Sequence, residues 1–485
     1  MRYKILSVFA ALAAITACGD LTSINTNPNG PVDVPPPSIL PSVIQVLVGN
    51  VNGVNSLNIR GGGLWVQYYS EIQYRDEDKY IVRSGTSGGW GMYNSALEDI
   101  QRMILKGQAT STPNWTAVGR ILRSYAFSVM TDAMGDLPYS QALKGDTVLA
   151  PVYDTQQQIY TGMLADLAQA NTDIDPAGIG FESGDLMYGG NMAKWRKFAN
   201  SLRLRLAIHL SKADPTKAAS EAAAALAAGV FASNADNAQL MYLSTSPNRN
   251  PIYNDAQGRD DYGMSKTFVD SLTSWADPRL PVFAQVNPAG TGFQGLPNGL
   301  NDGEGTPIVN ISRFGAFWRS TAAAPMELLT YSEVLFLEAE AAERGWIPGG
   351  SVQAATYYTN AITASLQQYG VAAADIATYL GQAKVGYNAA GATLAGRMNQ
   401  IMYQKWVSLF MQGMEAWTEV RRTGIPSLIP GPRAVFGAGI AGNIPQRLPY
   451  DDNEAVLNAA NLSAAVSAQG FSAGNDIQSK LWFAK

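Results

Sequence analysis

Residues 331–370 of this chain read YSEVLFLEAEAAERGWIPGGSVQAATYYTNAITASLQQYG, and their spacing decides the fold class. With Leu328 ahead of them, Tyr331, Leu335, Ala339, Ala342 and Trp346 recur every three or four residues, the period of one helix face. That period begins at Pro325 and stops at Gly349-Gly350, a pair that breaks helices. A second helix then runs to about Tyr369 with Ala354, Tyr358 and Ala361 on one face. Two amphipathic helices separated by a short turn make a helical hairpin, each hiding its apolar stripe against the other.

The spacing of the second helix matches the second half of a tetratricopeptide repeat, while the Trp and Leu-Gly positions of the first half are absent. Outward from the hairpin, the chain from Ser38 to about Ala232 also reads as helical. Its clearest helix starts at Thr112-Pro113, carries Trp115, Val118, Leu122, Tyr125 and Val129 on one face, and stops at Gly135 and Pro138. Further helices are expected over 38–49, 57–74, 90–106, 154–170, 191–211 and 216–229. Between about Ser244 and Ala324 the texture changes to loops rich in Gly, Pro and Asn that hold aromatic residues. Beyond the hairpin, one regular helix is expected from about Ala395 to Arg422, with Met402, Trp406, Leu409, Gly413, Trp417 and Val420 along one face. Arg421 and Arg422 suit its negative end, and Gly424 and Pro426 terminate it. The tail to Lys485 reads as loops and short helices, so the fold class is mainly α, one domain over 38–485 with a loop-rich insertion at 244–324.

Composition excludes several functions. Apolar residues make up 46% and charged ones 15%, which fits neither a disordered chain nor a polytopic membrane protein. A net charge of −5 with no Lys/Arg block lacks the electrostatic footprint of a nucleic-acid binder. The single cysteine, Cys18, and the single histidine, His209, cannot build a Cys-His zinc site or an intramolecular disulfide. A Ser-His-Asp triad would have to use His209, which sits in SLRLRLAIHL without a nucleophile elbow and reads as a core or helix-face residue. Asp302-Gly303-Glu304 lacks the ligand alternation of a calcium loop and reads as a turn. No metal and no cofactor is implied.

The first residues, MRYKILSVFAALAAITACGD, place Arg2 and Lys4 before a short apolar stretch from Ile5 to Ala17. That stretch is shorter than the roughly 20 residues of a spanning helix and reads as a signal peptide over 1–17. Ile15-Thr16-Ala17-Cys18 then resembles a bacterial lipobox, with Cys18 as the lipidated amino terminus. Residues 18–37, dense in Asn, Gly and Pro, read as a flexible tether. The mature protein is expected to be lipid-anchored, two acyl chains being enough for a stable anchor.

Taken in order, several segments resemble the SusD/RagB family of outer-membrane nutrient-binding lipoproteins. They are the lipobox, NTNPNGP (25–31), DAMGDLPYSQAL (132–143), YSEVLFLEAEAAERGW (331–346), QKWVSLFMQGMEAWTEVRRTGIP (404–426) and IPQRLPYDDNE (444–454). The resemblance implies a right-handed stack of tetratricopeptide-like hairpins with an irregular, loop-rich ligand face. It also implies glycan binding at the cell surface and delivery to a SusC-like TonB-dependent transporter. Residues Gly19-Asp20-Leu21 supply a single carboxylate where relatives often carry an acidic cluster. Gly135-Asp136-Leu137-Pro138, Trp406, Trp417 and the Arg421-Arg422 pair are read as helix stop, packing and capping.

Proteins hold sugars by laying aromatic rings on their C–H faces and aiming amides, carboxylates and guanidinium groups at their hydroxyl edges. Two clusters carry that chemistry. The first lies in WVQYYSEIQYRDEDKY (65–80) and GGWGMYNSALEDI (88–100), with Trp65, Tyr68 and Tyr74, and with Trp90, Tyr93 and Asn94 at i, i+3 and i+4. The second lies in the loop-rich middle: Tyr253, Asn254, Arg259, Asp260, Asp261 and Tyr262, then Phe314, Phe317 and Trp318. Core packing is the competing reading for both. A glycosidase would need two carboxyl groups about 5–9.5 Å apart. Asp76, Glu77 and Asp78 in a charged turn, and Glu333, Glu338 and Glu340 on a helix, read instead as solvated surface, so no catalytic residue is assigned. Peptide binding, as in some relatives, is the other alternative. The Cys18→Ala variant should lose fatty-acid analogue incorporation and membrane association; labelling that persists would refute the anchor.

Overall fold

A computed structural model of the chain describes residues 33–82, 89–436, 442–471 and 474–485; Cys18, the leader and most of the tether lie outside them. Helices begin where the sequence supplies caps and end where it supplies breakers. α1 (Pro36–Asn52) and α2 (Glu98–Ala109) precede α3 (Pro113–Met134), which opens on Pro113 and closes at Gly135 with φ 97°. α4 (Gln156–Asp173) starts on a capping box in which the Thr155 hydroxyl and the Gln158 amide each accept the other's backbone N–H. Asn191 caps α5 (Met192–His209), Asp214 caps α6 (Pro215–Ala228) and Asn250 caps the short α7 (Pro251–Ala256). The hairpin is α8 (Tyr331–Glu343) and α9 (Gly350–Gln368), followed by α10 (Leu394–Ser408) and α11 (Gly413–Thr423).

Neighbours in sequence pack side by side: α2 on α3, α3 on α4, α4 on α5, α5 on α6, and α8 on α9. The fold is the expected mainly helical stack of tetratricopeptide-like hairpins. Two small antiparallel ribbons cross it. β1 (Tyr69–Glu71) pairs with β3 (Tyr262–Met264), and β2 (Ala238–Leu240) with β4 (Met326–Leu329). No helix among the described residues is long and apolar enough to cross a membrane.

Two expected helices are broken, for one reason. The span 57–74 is a π-turn at Asn58–Gly62, one α-turn at Gly63–Trp65 and then β1. The span 395–422 is interrupted between α10 and α11, where Met411 takes φ 68°. The Asn58 amide reaches into that gap, donating to the Met411 carbonyl at 2.7 Å and accepting the Gly413 N–H at 2.5 Å. Backbone meets backbone here: a Cβ on Gly62 would lie 2.4 Å from the Gly413 carbonyl oxygen. Any side chain at either glycine would push the two segments apart.

The acidic residues of α8 are buried, correcting their reading as solvated surface. Glu333 and Glu340 are fully enclosed, and Glu338 is buried with its carboxyl pushed up to about 7 by that burial. Glu333 binds Arg205 of α5 through two contacts of 2.6 Å, and Glu340 binds Arg422 of α11 through two of 2.7 Å. Arg422 also holds Glu419 at 2.6 Å, which contacts Lys405 at 3.0 Å. Arg421 and Arg422 occupy the last turn of α11 as expected but are buried, with Arg421 3.4 Å from the centre of the Trp417 ring. Glu77 and Asp78 are equally enclosed. Glu77 pairs with Arg60, while Asp78 accepts from Ser70 and Asn298 at 2.6 Å each and from the Gly299 N–H at 3.1 Å.

His209, fully buried, lies in the same network at 3.0 Å from Glu415 and 3.1 Å from Asp132. Burial alone would lower its pKa, but Glu415 and Asp132 outweigh it and raise the value from 6.5 to about 9. A raised folded-state pKa stabilises fully below 6.5, and the contribution disappears as pH climbs through about 9. At about 1.4 kcal/mol per tenfold change in proton affinity, it amounts to roughly 3 kcal/mol. The stability gap between wild type and His209→Gln, measured by urea unfolding at a series of pH values, should therefore shrink by about that amount from pH 6.5 to beyond pH 9.

Candidate functional site

The β1–β3 register sets Glu71 opposite Tyr262, and at that end of the ribbon a cavity of about 770 Å³ opens. The strand ends lead straight into its walls. Beyond β1 come Gln73 and Tyr74; ahead of β3 come Gly258, Arg259 and Asp261; α7 adds Asn254 and Asp255. Asn55 and Arg60, between α1 and β1, complete the enclosure. Tyr74 is 56% exposed and its backbone is left-handed at φ 57°, as is that of neighbouring Asp260 at φ 54°. Strain of that kind in non-glycine residues gathers at ligand sites.

Electrostatics fix the wall. Arg259 grips Asp261 at 2.7 Å and places its guanidinium 5.4 Å from the Tyr74 ring centre, a cation–π arrangement. Gln73 donates to the other Asp261 oxygen. Arg313 and Arg319 hold Asp260 at 3.0 and 2.6 Å. Burial, then Glu77 and Asp78, push the Glu71 carboxyl up to about 10, so it keeps its proton at neutral pH.

A second cavity, about 310 Å³, is lined by Trp90, Tyr93 and Asn94 together with Glu98, Pro138, Leu143, Pro151 and Glu454. The structure brings the expected i, i+3, i+4 residues to one cavity wall. Trp90 is half-buried, edge-on to Tyr93 with ring centres 5.3 Å apart and stacked on Tyr153 at 6.1 Å. The Tyr93 hydroxyl donates to the Pro138 carbonyl at 2.6 Å, and Tyr153 donates to Glu454 at 2.7 Å. Asn94 is exposed at the rim.

Of the remaining aromatic candidates, four belong to the core. Trp65 is fully buried, edge-on to Trp417 at 4.8 Å, and Tyr68 is fully buried with its hydroxyl donating to the Trp406 carbonyl. Phe314 is buried against Tyr69 at 5.3 Å, and Trp318 is enclosed by Phe283, Tyr369 and Phe410. Phe317, half-buried, packs on Trp318 and Tyr369. Tyr253 is half-buried under Arg249 and is not among the residues lining the large cavity. The structure thus unites Tyr74, Asn254, Arg259, Asp261 and Tyr262 in one cavity and Trp90, Tyr93 and Asn94 in another.

The family described as "Starch-binding associating with outer membrane", SusD-like, matches residues 28–451. The chain belongs to the SusD-like family. No curated protein sequence matches it. Among solved structures, this SusD-like protein is similar to a chitin-binding protein, with 29% identity and a TM-score of 0.79 over 93% of this chain and 100% of that one. It is also similar to a chitin-binding SusD homologue from Flavobacterium johnsoniae, with 25% identity and a TM-score of 0.81 over 92% and 98%. A SusD homologue from Bacteroides fragilis shows 26% identity and a TM-score of 0.79 over 93% and 100%.

Sequence reasoning missed Asn55, Arg60, Glu71 and Asp255 in the large cavity of this SusD-like chain. Glu71 and Asp255 lie inside the two quoted clusters, 65–80 and 253–262, but nothing local singled either of them out. Among the described residues, His209, Glu415 and Glu419 bring ligand-type atoms within 4.8 Å of one another. Arg205, Lys405 and Arg422 already contact those two carboxylates, so the set works as an ion-pair network. The assignment of core against rim is directly measurable. Denaturant unfolding should show Trp65→Ala costing about 3–5 kcal/mol and Tyr74→Ala staying within about 0.5 kcal/mol of wild type.

Proposed function

We propose that this chain is a surface lipoprotein of the outer membrane that binds oligosaccharides without cleaving them and passes them to a SusC-like TonB-dependent transporter. One observation carries the reading: the cavity of about 770 Å³ whose exposed Tyr74 ring stands among amide and carboxylate edges. A ring face and convergent polar groups are what a sugar requires. Membership of a family described as starch-binding supports it, as do two neighbours named chitin-binding. Chitin oligomers are therefore the first ligands to test.

Catalysis is the weaker reading because two of the cavity's three carboxyl groups have other tasks, which leaves no acid–base pair. Asp261 is ion-paired with Arg259, while Glu71 accepts the Asp78 N–H at 3.2 Å and faces Glu77. Peptide binding has one observation in its favour, the amide and carboxylate lining. Strand addition is unavailable to a peptide at this ribbon, however. Met264 already donates to Ser312 and accepts from Leu296, both at 2.8 Å, and Asn298 bonds the Tyr69 carbonyl at 2.9 Å. A lipid tether raises the effective concentration beside the transporter, so moderate affinity suffices for capture and release.

Calorimetric titration with chitin and starch oligomers, followed by chromatography of the recovered sugar, tests the reading. Binding with the sugar returned intact is expected, and Tyr74→Ala should weaken it by about tenfold, the equivalent of roughly 1.4 kcal/mol. Sugar cleaved by repurified protein would refute the non-catalytic reading, and absence of a co-purifying channel from native membranes would refute the partnership.

A further inference from the structure

The large cavity is uneven in which of its polar atoms are already satisfied. Asp260 is held by Arg313 and Arg319, Asp261 by Arg259 and Gln73, and Arg60 is committed to Glu77. Among the lining groups that are not exposed, two stand apart. Asp255 is half-buried on the wall, and its carboxylate forms no hydrogen bond or ion pair among the described residues. Tyr262 is only 7% exposed, with its ring packed against Tyr69 and Phe314, and its hydroxyl has no hydrogen-bond partner among the described residues. Both groups open onto the cavity, where a ligand can supply the partner that the protein does not.

We propose that the cavity selects oligosaccharides bearing a free primary amine, with the ammonium of an amino sugar seated between the Asp255 carboxylate and the Tyr262 hydroxyl. This rests on the glycan-binding reading above. An ammonium carries three donors and no acceptor, which suits a carboxylate, a phenol oxygen and the exposed Asn254 amide on the same wall. An anionic ligand would meet Asp255 and find Arg60 and Arg259 already paired. A neutral acetamido group would bring no charge to complement Asp255. Burial, then Asp261 and Asp260, raise the Asp255 carboxyl to about 6 against the pull of Arg259 and Arg319, with Tyr262 neutral beside it. A bound cation relieves that repulsion.

The test titrates the described cavity in the full chain at pH 6.5 with the glucosamine hexamer, the N-acetylglucosamine hexamer and a lysine-containing tripeptide. Wild type should bind the glucosamine hexamer about tenfold or more tighter than its N-acetylated counterpart. Asp255→Asn should erase that preference with an unchanged Tm, whereas Asp375→Asn, the same charge change at an exposed helix position, should keep it. An N-acetylated oligomer bound as well as the amine, and weakened by Tyr74→Ala, would overturn the amine proposal while leaving glycan binding intact. A preference lost equally in Asp375→Asn would reduce the effect to general charge attraction and overturn it as well. Binding of neither oligomer would refute the glycan reading itself, and Asp255-dependent binding of the tripeptide alone would replace the sugar with a basic peptide.

Discussion

Arg422 grips Glu340 and Glu419 in the dry space where α8 and α11 meet, and the rest of the fold is arranged around that requirement. Charges taken out of water are tolerated only with close geometry and satisfied hydrogen bonds. The network therefore has to continue until every charge is answered, through Lys405 on α10, His209 and Arg205 on α5, Glu415 on α11 and Glu333 back on α8. A slide of any one helix by a turn would strand several charges at once. The hairpins supply apolar burial, which is non-directional. The ion pairs supply the register that burial alone does not specify.

That register reaches the large cavity through backbone. Asn58 enters the break between α10 and α11, Gly62 lies against Gly413, and the chain leaves this contact already directed into β1. β1 then fixes β3 across three residue pairs, which brings segments nearly two hundred positions apart in sequence to one cavity. Rigid helices thus carry the loops that line the cavity, and the loops need little regular structure of their own.

The hairpin, α3 and the loop-rich middle were legible because each depends on local spacing: apolar residues every three or four positions, Pro113 at a helix start, Gly135 at a stop. What depends on a distant partner was not. Glu333 and Glu340 look like surface residues until Arg205 and Arg422 arrive from elsewhere in the chain. Residues 57–74 are expected as one helix, yet the Asn58 contact with Met411 and Gly413 goes with a π-turn followed by a strand. At the site, sugar-binding chemistry pointed to Tyr74, Arg259 and Asp261 but equally to Trp65 and Trp318, since an aromatic ring carries no local mark of burial. Asp255 was hidden for the opposite reason: its distinction is the absence of an ion pair, which only three dimensions reveal.

The division between charged interior and looped cavity also separates the rates at which parts of such a protein can diverge. Most of the cavity wall is contributed by residues 251–262 and 71–74, none of which belongs to the ion-pair network of α5, α8, α10 and α11. Exchange of α7 and the turn after it would present a new chemical surface while the three-pair ribbon kept it in place. Substitution at these positions can then change the chemistry of the cavity without retuning the scaffold, so two chains can share nearly all of their helical frame and still present different cavity walls.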